Sequence, residues 1–298
     1  MKTPNFFIVG APRCGTTALY TYLRQHPDIF MPEAKEPHYF ATDLGFSRAY
    51  SDRQKYLALF QEAENEQRIG EASVWNLYST VASSGIKEFC PQARIIIMLR
   101  KPADMMYSLH SQSVFCDFED ITSFQEALEA EEQRKRGERI PKHVMDIKCL
   151  YYRETVKYTE QVRRYLEDFA PAQIKIVIYD DFKKDVARTY REVCQFLDVA
   201  PTFVPNFEVI NDSRVRRSMA LRRFIASPKV HQLGRVLLPG SLQQARRQLK
   251  GGLDHWNTKT APRSPMSVEL MKRLEDEFVP EIDRLSELLG RDLVGLWS

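Results

Sequence analysis

The sequence predicts an α/β fold, a P-loop-like three-layer arrangement in which helices flank a central parallel sheet. Three observations carry this expectation. Segments 6–9, 95–99 and 174–179 are largely apolar and suit strands buried on both faces rather than one. Each is followed by a segment with helical character, and alternating strands and helices build parallel sheets. Between the first strand and its helix stands Gly10-Ala-Pro-Arg-Cys-Gly15-Thr16-Thr17, a glycine-bounded turn suited to phosphate.

The first strand, Phe6–Val9, is stopped by Gly10, and Thr16 or Thr17 is placed to N-cap a helix reaching about Gln25. A second buried strand lies within Arg94–Arg100. Pro102 follows it in the first turn of a helix starting near Ala103, where a missing N–H costs nothing. Residues 124–139 read as a charged surface helix. A long helix from about Leu150 to Phe169 precedes the strand Ile174–Tyr179, and another runs from about Asp185 to Leu197. The segment from Ser267 to about Leu289 spaces Leu270, Leu274, Phe278, Ile282, Leu285 and Leu289 by threes and fours, an amphipathic helix.

Composition narrows the class. With 298 residues, 43% of them hydrophobic, the chain is neither disordered nor fibrous, and a single domain over 1–298 is expected. The net charge of +3 gives no general pull towards nucleic acid, and no nucleic-acid partner is expected. Charge is uneven, however: the stretch 214–250 holds ten Lys and Arg and no Asp or Glu. It reads as a basic lid over an anionic ligand, a docking surface for an acidic substrate or carrier protein, or a solvated basic face. The five cysteines are widely spaced without a C-x-x-C pair, against a disulfide framework or zinc site. The longest apolar runs fall far short of the roughly 18 to 20 residues that span a bilayer, so no transmembrane segment is expected. A cytoplasmic enzyme without a metal is the expectation.

The turn has the G-x-x-x-x-G spacing of a triphosphate-binding loop, but Thr16 stands where such loops carry lysine. The strand at 94–99 ends in Arg100, where a magnesium-holding carboxylate would be expected. A ligand with phosphate at two separate places explains both departures, one group in the loop and the other against Arg100. A nucleotide kinase or triphosphatase with a divergent loop is the competing enzyme reading. A non-catalytic anion-binding module is the third.

The segments 10–19, 99–108 and 250–252 resemble the sulfotransferases that use 3′-phosphoadenosine 5′-phosphosulfate (PAPS), most of all bacterial sulfotransferase-domain proteins related to the heparan sulfate branch. The resemblance implies that Arg13, Cys14, Gly15, Thr16 and Thr17 bind the 5′-phosphosulfate of the donor. It implies that Arg100 and Ser108, eight residues apart, contact the 3′-phosphate. It also implies a late basic-glycine loop closing over that phosphate, with Lys250, Gly251 and Gly252 the matching positions, although Gly252 stands where arginine is common. Tyr179-Asp180-Asp181-Phe182 and Leu288–Leu293 are further family-like segments.

The stretch Lys35-Glu36-Pro37-His38-Tyr39-Phe40 resembles the heparan-type segment that carries a catalytic glutamate, which places the base at Glu36. Lys35 or Arg13 balances charge nearby, and Arg13 is the choice for leaving-group stabilisation. His38 is the second candidate base, because an unperturbed imidazole titrates near neutrality, and His255 is the third. One departure stands out: Ala72 and Val74 occupy the place where the heparan branch has a lysine before a Ser/Thr-Pro pair, so one catalytic cation is missing. Either Lys35 or Arg100 substitutes for it, or the acceptor chemistry differs. Trp75, Tyr78, Tyr39, Phe40 and Phe115 are candidates for lining an acceptor or adenine pocket, or for plain core packing. The acceptor itself is expected to bear a hydroxyl, less readily an amine, on a saccharide, lipid or natural-product intermediate.

Overall fold

The computed structural model describes residues 2–46, 48–208, 214–216, 258–260 and 264–297. Five strands, β1 (Phe6–Gly10), β2 (Ile29–Phe30), β3 (Arg68–Ala72), β4 (Arg94–Leu99) and β5 (Ile174–Ile178), form one parallel sheet in the order β2-β3-β1-β4-β5. All of β1 is buried, as is β4 from Ile95 to Leu99, which is why these two runs carry no polar face. β1 pairs with β3 through Phe6↔Gly70 and Ile8↔Ala72, and with β4 through Phe6↔Arg94 and Ile8↔Ile96. The chain leaves β1 on one side to build β2 and β3, then crosses to build β4 and β5. Ligands of open α/β sheets sit outside the carboxyl ends of the strands at such a switch point.

Helices cover both faces: α1 (Thr16–Leu23), α2 (Arg53–Ala58), α3 (Ala82–Phe89), α4 (Pro102–Cys116), α5 (Phe124–Glu129), α6 (Glu131–Lys135), α7 (Tyr152–Thr155), α8 (Tyr158–Asp168), α9 (Tyr179–Lys184), α10 (Val186–Phe196), α11 (Val268–Leu289) and α12 (Val294–Trp297). Leu270, Leu274, Phe278, Ile282 and Leu285 of α11 are buried, as their spacing requires. A separate antiparallel pair, β6 (Arg214–Arg216) and β7 (Thr258–Thr260), brings together two segments far apart in sequence. The remainder of the basic stretch, with Lys250, Gly251, Gly252 and His255, lies outside the described residues. All five cysteines are free.

Several elements differ from their expected form. α1 stops at Leu23, and its N-cap is Gly15, with no side-chain cap bond from Thr16 or Thr17. The surface helix expected over 124–139 is two short helices, and it is not wholly exposed: Arg134 is buried against the buried Glu119 at 2.6 Å. The long helix expected from Leu150 to Phe169 is a 3₁₀ turn followed by α7 and α8, interrupted at Val156 and Lys157. The interruption is held from outside. Glu281 of α11 accepts the Thr159 N–H at 2.7 Å, and the Gln161 amide donates to the carbonyls of Glu154 and Thr155 at 3.2 Å each. These bonds satisfy backbone groups that a continuous helix would have paired internally.

Replacing Glu281 by alanine strands the buried Thr159 N–H, which costs about 1–3 kcal/mol. Urea unfolding is expected to show a lower midpoint for Glu281→Ala and a near-normal one for Glu281→Gln, which keeps an acceptor. Equal midpoints for Glu281→Ala and the parent chain would show that the break in the helix is intrinsic.

Candidate functional site

The site is built at the carboxyl edge of the sheet by three connections. The first is the turn 11–15 between β1 and α1. Ala11 N–H donates to the Met98 carbonyl at 2.7 Å, carrying β1–β4 pairing one step into the turn. Arg13 and Gly15 then take positive φ, 63° and 87°, curling the backbone as anion-binding nests do. Since Gly15 caps α1 without a side-chain bond, the unpaired N–H groups of the helix start and its positive dipole end face the same concavity. The Cys14 side chain is turned away and fully buried. Its thiol donates to the Pro12 carbonyl at 3.4 Å, and burial pushes its pKa up to about 12, so what this residue offers the turn is its backbone.

The second connection leads from β4 into α4. Arg100 donates to the Arg13 carbonyl at 3.4 Å, approaches Asp104 at 3.4 Å, and lies over the Tyr179 ring at 4.7 Å. Its Nε is buried with no hydrogen-bond partner. Ser108, two turns along α4 and buried, accepts a hydrogen bond from Arg13 Nε at 3.0 Å. The pair expected from the eight-residue spacing is therefore physically joined to the turn. Together they border a cavity of about 400 Å³ whose other wall includes Tyr22, Tyr179, Phe182, Lys183 and Phe207.

The third connection follows β3 and faces the segment 35–38. Glu36 has φ 62° and His38 φ 52°, both in the left-handed region that non-glycine residues seldom occupy. They are held there by cross-links to the β3 exit. Glu36 N–H donates to the Ala72 carbonyl at 3.0 Å, Val74 N–H donates to Glu36 Oε2 at 2.8 Å, and His38 N–H donates to Ser73 Oγ at 3.0 Å. Lys35 forms an ion pair with Glu36 Oε1. The His38 ring stacks on Phe46 at 4.1 Å, with Nε2 3.7 Å from Glu36 Oε2 and Nδ1 buried without a partner. Burial lowers its pKa, against the pull of Glu36, and the ring is neutral at neutral pH.

Lys35, Glu36 and His38 border a second cavity, of about 470 Å³. Arg13, Thr16 and Thr17 border both cavities. The turn residues and the candidate bases, about twenty residues apart in sequence, thus border one cavity. Trp75 lines the second cavity, whereas Tyr39 and Phe40 pack against Tyr56, and Tyr78 stands behind Trp75 at 5.9 Å. Phe115 is not among the residues lining either cavity.

Sequence reasoning passed over Glu71. It is fully buried in the middle of β3, accepts from Tyr56 at 3.4 Å, and leaves Oε1 without a partner. Burial raises its pKa to about 7; hydrogen bonding from Ser73 works against that and the nearby Glu36 carboxylate adds to it. A glutamate in the strand Arg68-Ile-Gly-Glu-Ala72 is invisible to motif matching, and nothing in so short and mixed a run marks it as buried.

Because the folded chain holds the Glu71 proton more tightly than the unfolded chain, stability falls as pH rises from the ordinary 4.5 to about 7. A shift of that size corresponds to about 3 kcal/mol. Glu71→Gln is expected to be more stable than the parent by roughly 1–3 kcal/mol at pH 8 and nearly equal to it at pH 5. Urea unfolding at the two pH values checks this, and a variant weaker at both would show that the charged carboxylate is the stabilised form.

Comparison with known proteins agrees with this geometry. The sulfotransferase domain family matches residues 3–292. A crystal structure of a sulfotransferase from Alicyclobacillus acidocaldarius superposes with a TM-score of 0.73 at 29% identity, covering 100% of this chain and 99% of that one. Carbohydrate sulfotransferase 15 of Mus musculus is 29% identical over 66% of this chain and 44% of its own length. The bifunctional heparan sulfate N-deacetylase/N-sulfotransferase 3 of Homo sapiens is 29% identical over 68% of this chain and 23% of its own. The chain thus spans less than half the length of these curated relatives. With the match running almost end to end, the protein belongs to the sulfotransferase domain family.

Proposed function

We propose that the protein transfers a sulfuryl group from PAPS to a hydroxyl, less readily an amine, of an acceptor held in the larger cavity. The observation that carries this reading is that the two cavities share Arg13, Thr16 and Thr17. A donor bound in one and an acceptor in the other would meet over the start of α1, the proximity that in-line transfer needs.

The donor fits the residues around the smaller cavity. The turn and the α1 N-terminus suit the 5′-phosphosulfate. Arg100, with its buried and unpartnered Nε, and Ser108 suit a 3′-phosphate. The aromatic wall of Tyr22, Tyr179, Phe182 and Phe207 suits a base. When bound, PAPS supplies an electrophilic sulfur and a phosphate leaving group. Arg13, the Thr16 and Thr17 hydroxyls and the turn N–H groups offset charge gathering on the departing oxygen. No metal ion is given a role.

In this reading Glu36 takes the acceptor's proton. Val74 N–H and Lys35 fix the orientation of its carboxylate, and Lys35 is the cation standing in for the one missing from the heparan-type pattern. His38 ranks second as base, since its nearer nitrogen faces Glu36 and the other is buried. The kinase reading is weakened by Thr16 and Arg100, which stand where lysine and a metal-holding carboxylate belong.

Calorimetry with adenosine 3′,5′-bisphosphate (PAP), 5′-AMP and ATP with magnesium tests the donor. PAP is expected to bind tightest without metal, and Arg100→Ala to weaken PAP at least tenfold more than AMP. Preference for ATP, or equal losses for PAP and AMP, would overturn the assignment. Glu36→Gln is expected to lower kcat by roughly 10²–10⁴ with PAP affinity unchanged, and His38→Ala to lower it far less. The reverse ranking in steady-state kinetics would move the base to His38.

A further inference from the structure

Two segments singled out in the sequence, 179–182 and 288–293, are joined in the fold. The six-residue helix α9 starts straight from β5, and no side chain caps its start. Its residues serve two ends. Tyr179, Phe182 and Lys183 border the donor cavity, with the Tyr179 ring 4.7 Å from the Arg100 guanidinium and the Phe182 ring 6.3 Å from that of Tyr22. Asp180 and Asp181, between them in sequence, are bound by the chain that follows α11. Arg291 meets Asp181 with both arms of its guanidinium, Nη1 donating to Oδ2 at 2.6 Å and Nη2 to Oδ1 at 2.9 Å, and Trp297 Nε1 donates to Asp180 Oδ2 at 3.0 Å. A two-pronged arginine–carboxylate pair fixes direction as well as distance. Its partners are 41% and 46% exposed, so the pair adds little to the stability of the whole chain.

The segment that holds α9 is itself well seated. Leu293 N–H donates to Ser286 Oγ of α11 at 3.1 Å, Trp297 N–H donates to the Leu293 carbonyl at 2.9 Å, and both side chains are buried. α11 also reaches the connection that carries Arg100, where Lys101 pairs with Glu275 at 2.5 Å. We infer that Arg291 and Trp297 are positioning residues for the donor: by holding Asp181 and Asp180 they aim α9 so that Tyr179 and Phe182 meet the nucleotide base. The inference rests on the donor reading and adds to it two residues that line neither cavity. Breaking the clamp leaves α9 free to take other directions. Apparent affinity then falls by the fraction of chains that still hold the binding one, and it falls equally for every ligand that needs the wall. PAP and 5′-AMP share the base, so both lose by one factor, unlike in Arg100→Ala.

Calorimetry with PAP and 5′-AMP on the full chain, beside urea unfolding, tests this. Arg291→Ala and Trp297→Phe are each expected to weaken both ligands at least fivefold and by equal factors, in protein that stays folded. Arg291→Lys, which keeps the charge without the fork, is expected to lose less. Asp181→Ala should match Arg291→Ala, and the double variant should lose no more than either, since both remove one contact. Arg136→Ala, which breaks an exposed ion pair with Glu138, leaves PAP affinity within twofold. If Arg291→Ala does not fold, Arg291→Lys and Trp297→Phe carry the test. Unchanged PAP affinity with a lowered urea midpoint, a loss confined to PAP, or losses that add in the double variant overturn the inference and leave the donor reading standing. Absence of PAP binding to the parent chain overturns the donor reading and this inference with it.

Discussion

At Gly10 the chain leaves the central strand under a contact that admits no side chain: a Cβ there would stand 2.4 Å from that of Leu77. Val9 next to it accepts the Leu77 N–H at 2.7 Å, so the segment after β3 is drawn hard against the exit of β1. The same approach fixes where α1 begins. Gly15, with φ 87° and the Tyr179 ring 3.1 Å from where a Cβ would be, lets the helix start directly over the strand end. A bulkier residue at either position would push the helix N-terminus away from the sheet, and the anion-facing N–H groups with it.

From that constraint the rest of the site follows as a set of attachments. Arg100 reaches the turn from β4 and Ser108 from α4, and both bond to Arg13, one at its carbonyl and the other at its side chain. The segment 35–38 is attached on the other side through Ala72, Ser73 and Val74. Two positive-φ residues in that segment carry backbone strain, which persists only because several bonds fix the conformation at once. Glu36 and His38 are consequently presented by a clamped loop rather than a free one. Beneath it, the protonatable Glu71 sits close enough to Glu36 to feel its charge.

The two cavities divide the work by composition. One joins cations and hydroxyls to an aromatic wall, which suits a nucleotide carrying anionic groups. The other adds Lys35, Glu36 and His38 to the shared Arg13, Thr16 and Thr17, with Phe46 and Trp75 also on its wall. Lys35 and His38 beside Glu36 are largely withdrawn from water, and charges there interact more strongly than in bulk solvent.

The buried strands, the turn and Arg100 were legible in the sequence because each is a local pattern: a continuous apolar run, glycines at fixed offsets, a cation where the strand ends. Glu36 and Lys35 were legible through resemblance to a known segment. What the sequence did not decide were relations between distant segments. At the break at Val156 and Lys157, the Thr159 N–H is taken up by Glu281, more than 120 residues away. The aromatic residues sorted themselves by packing, with Tyr39 and Phe40 taken into the core and Tyr22 and Phe207 left to face the nucleotide-sized cavity, because no periodicity records which side of a ring meets a void. Local chemistry set the elements and the glycine-bounded turn, and tertiary packing alone decided which side chains share a cavity, since that depends on contacts no short window of sequence contains.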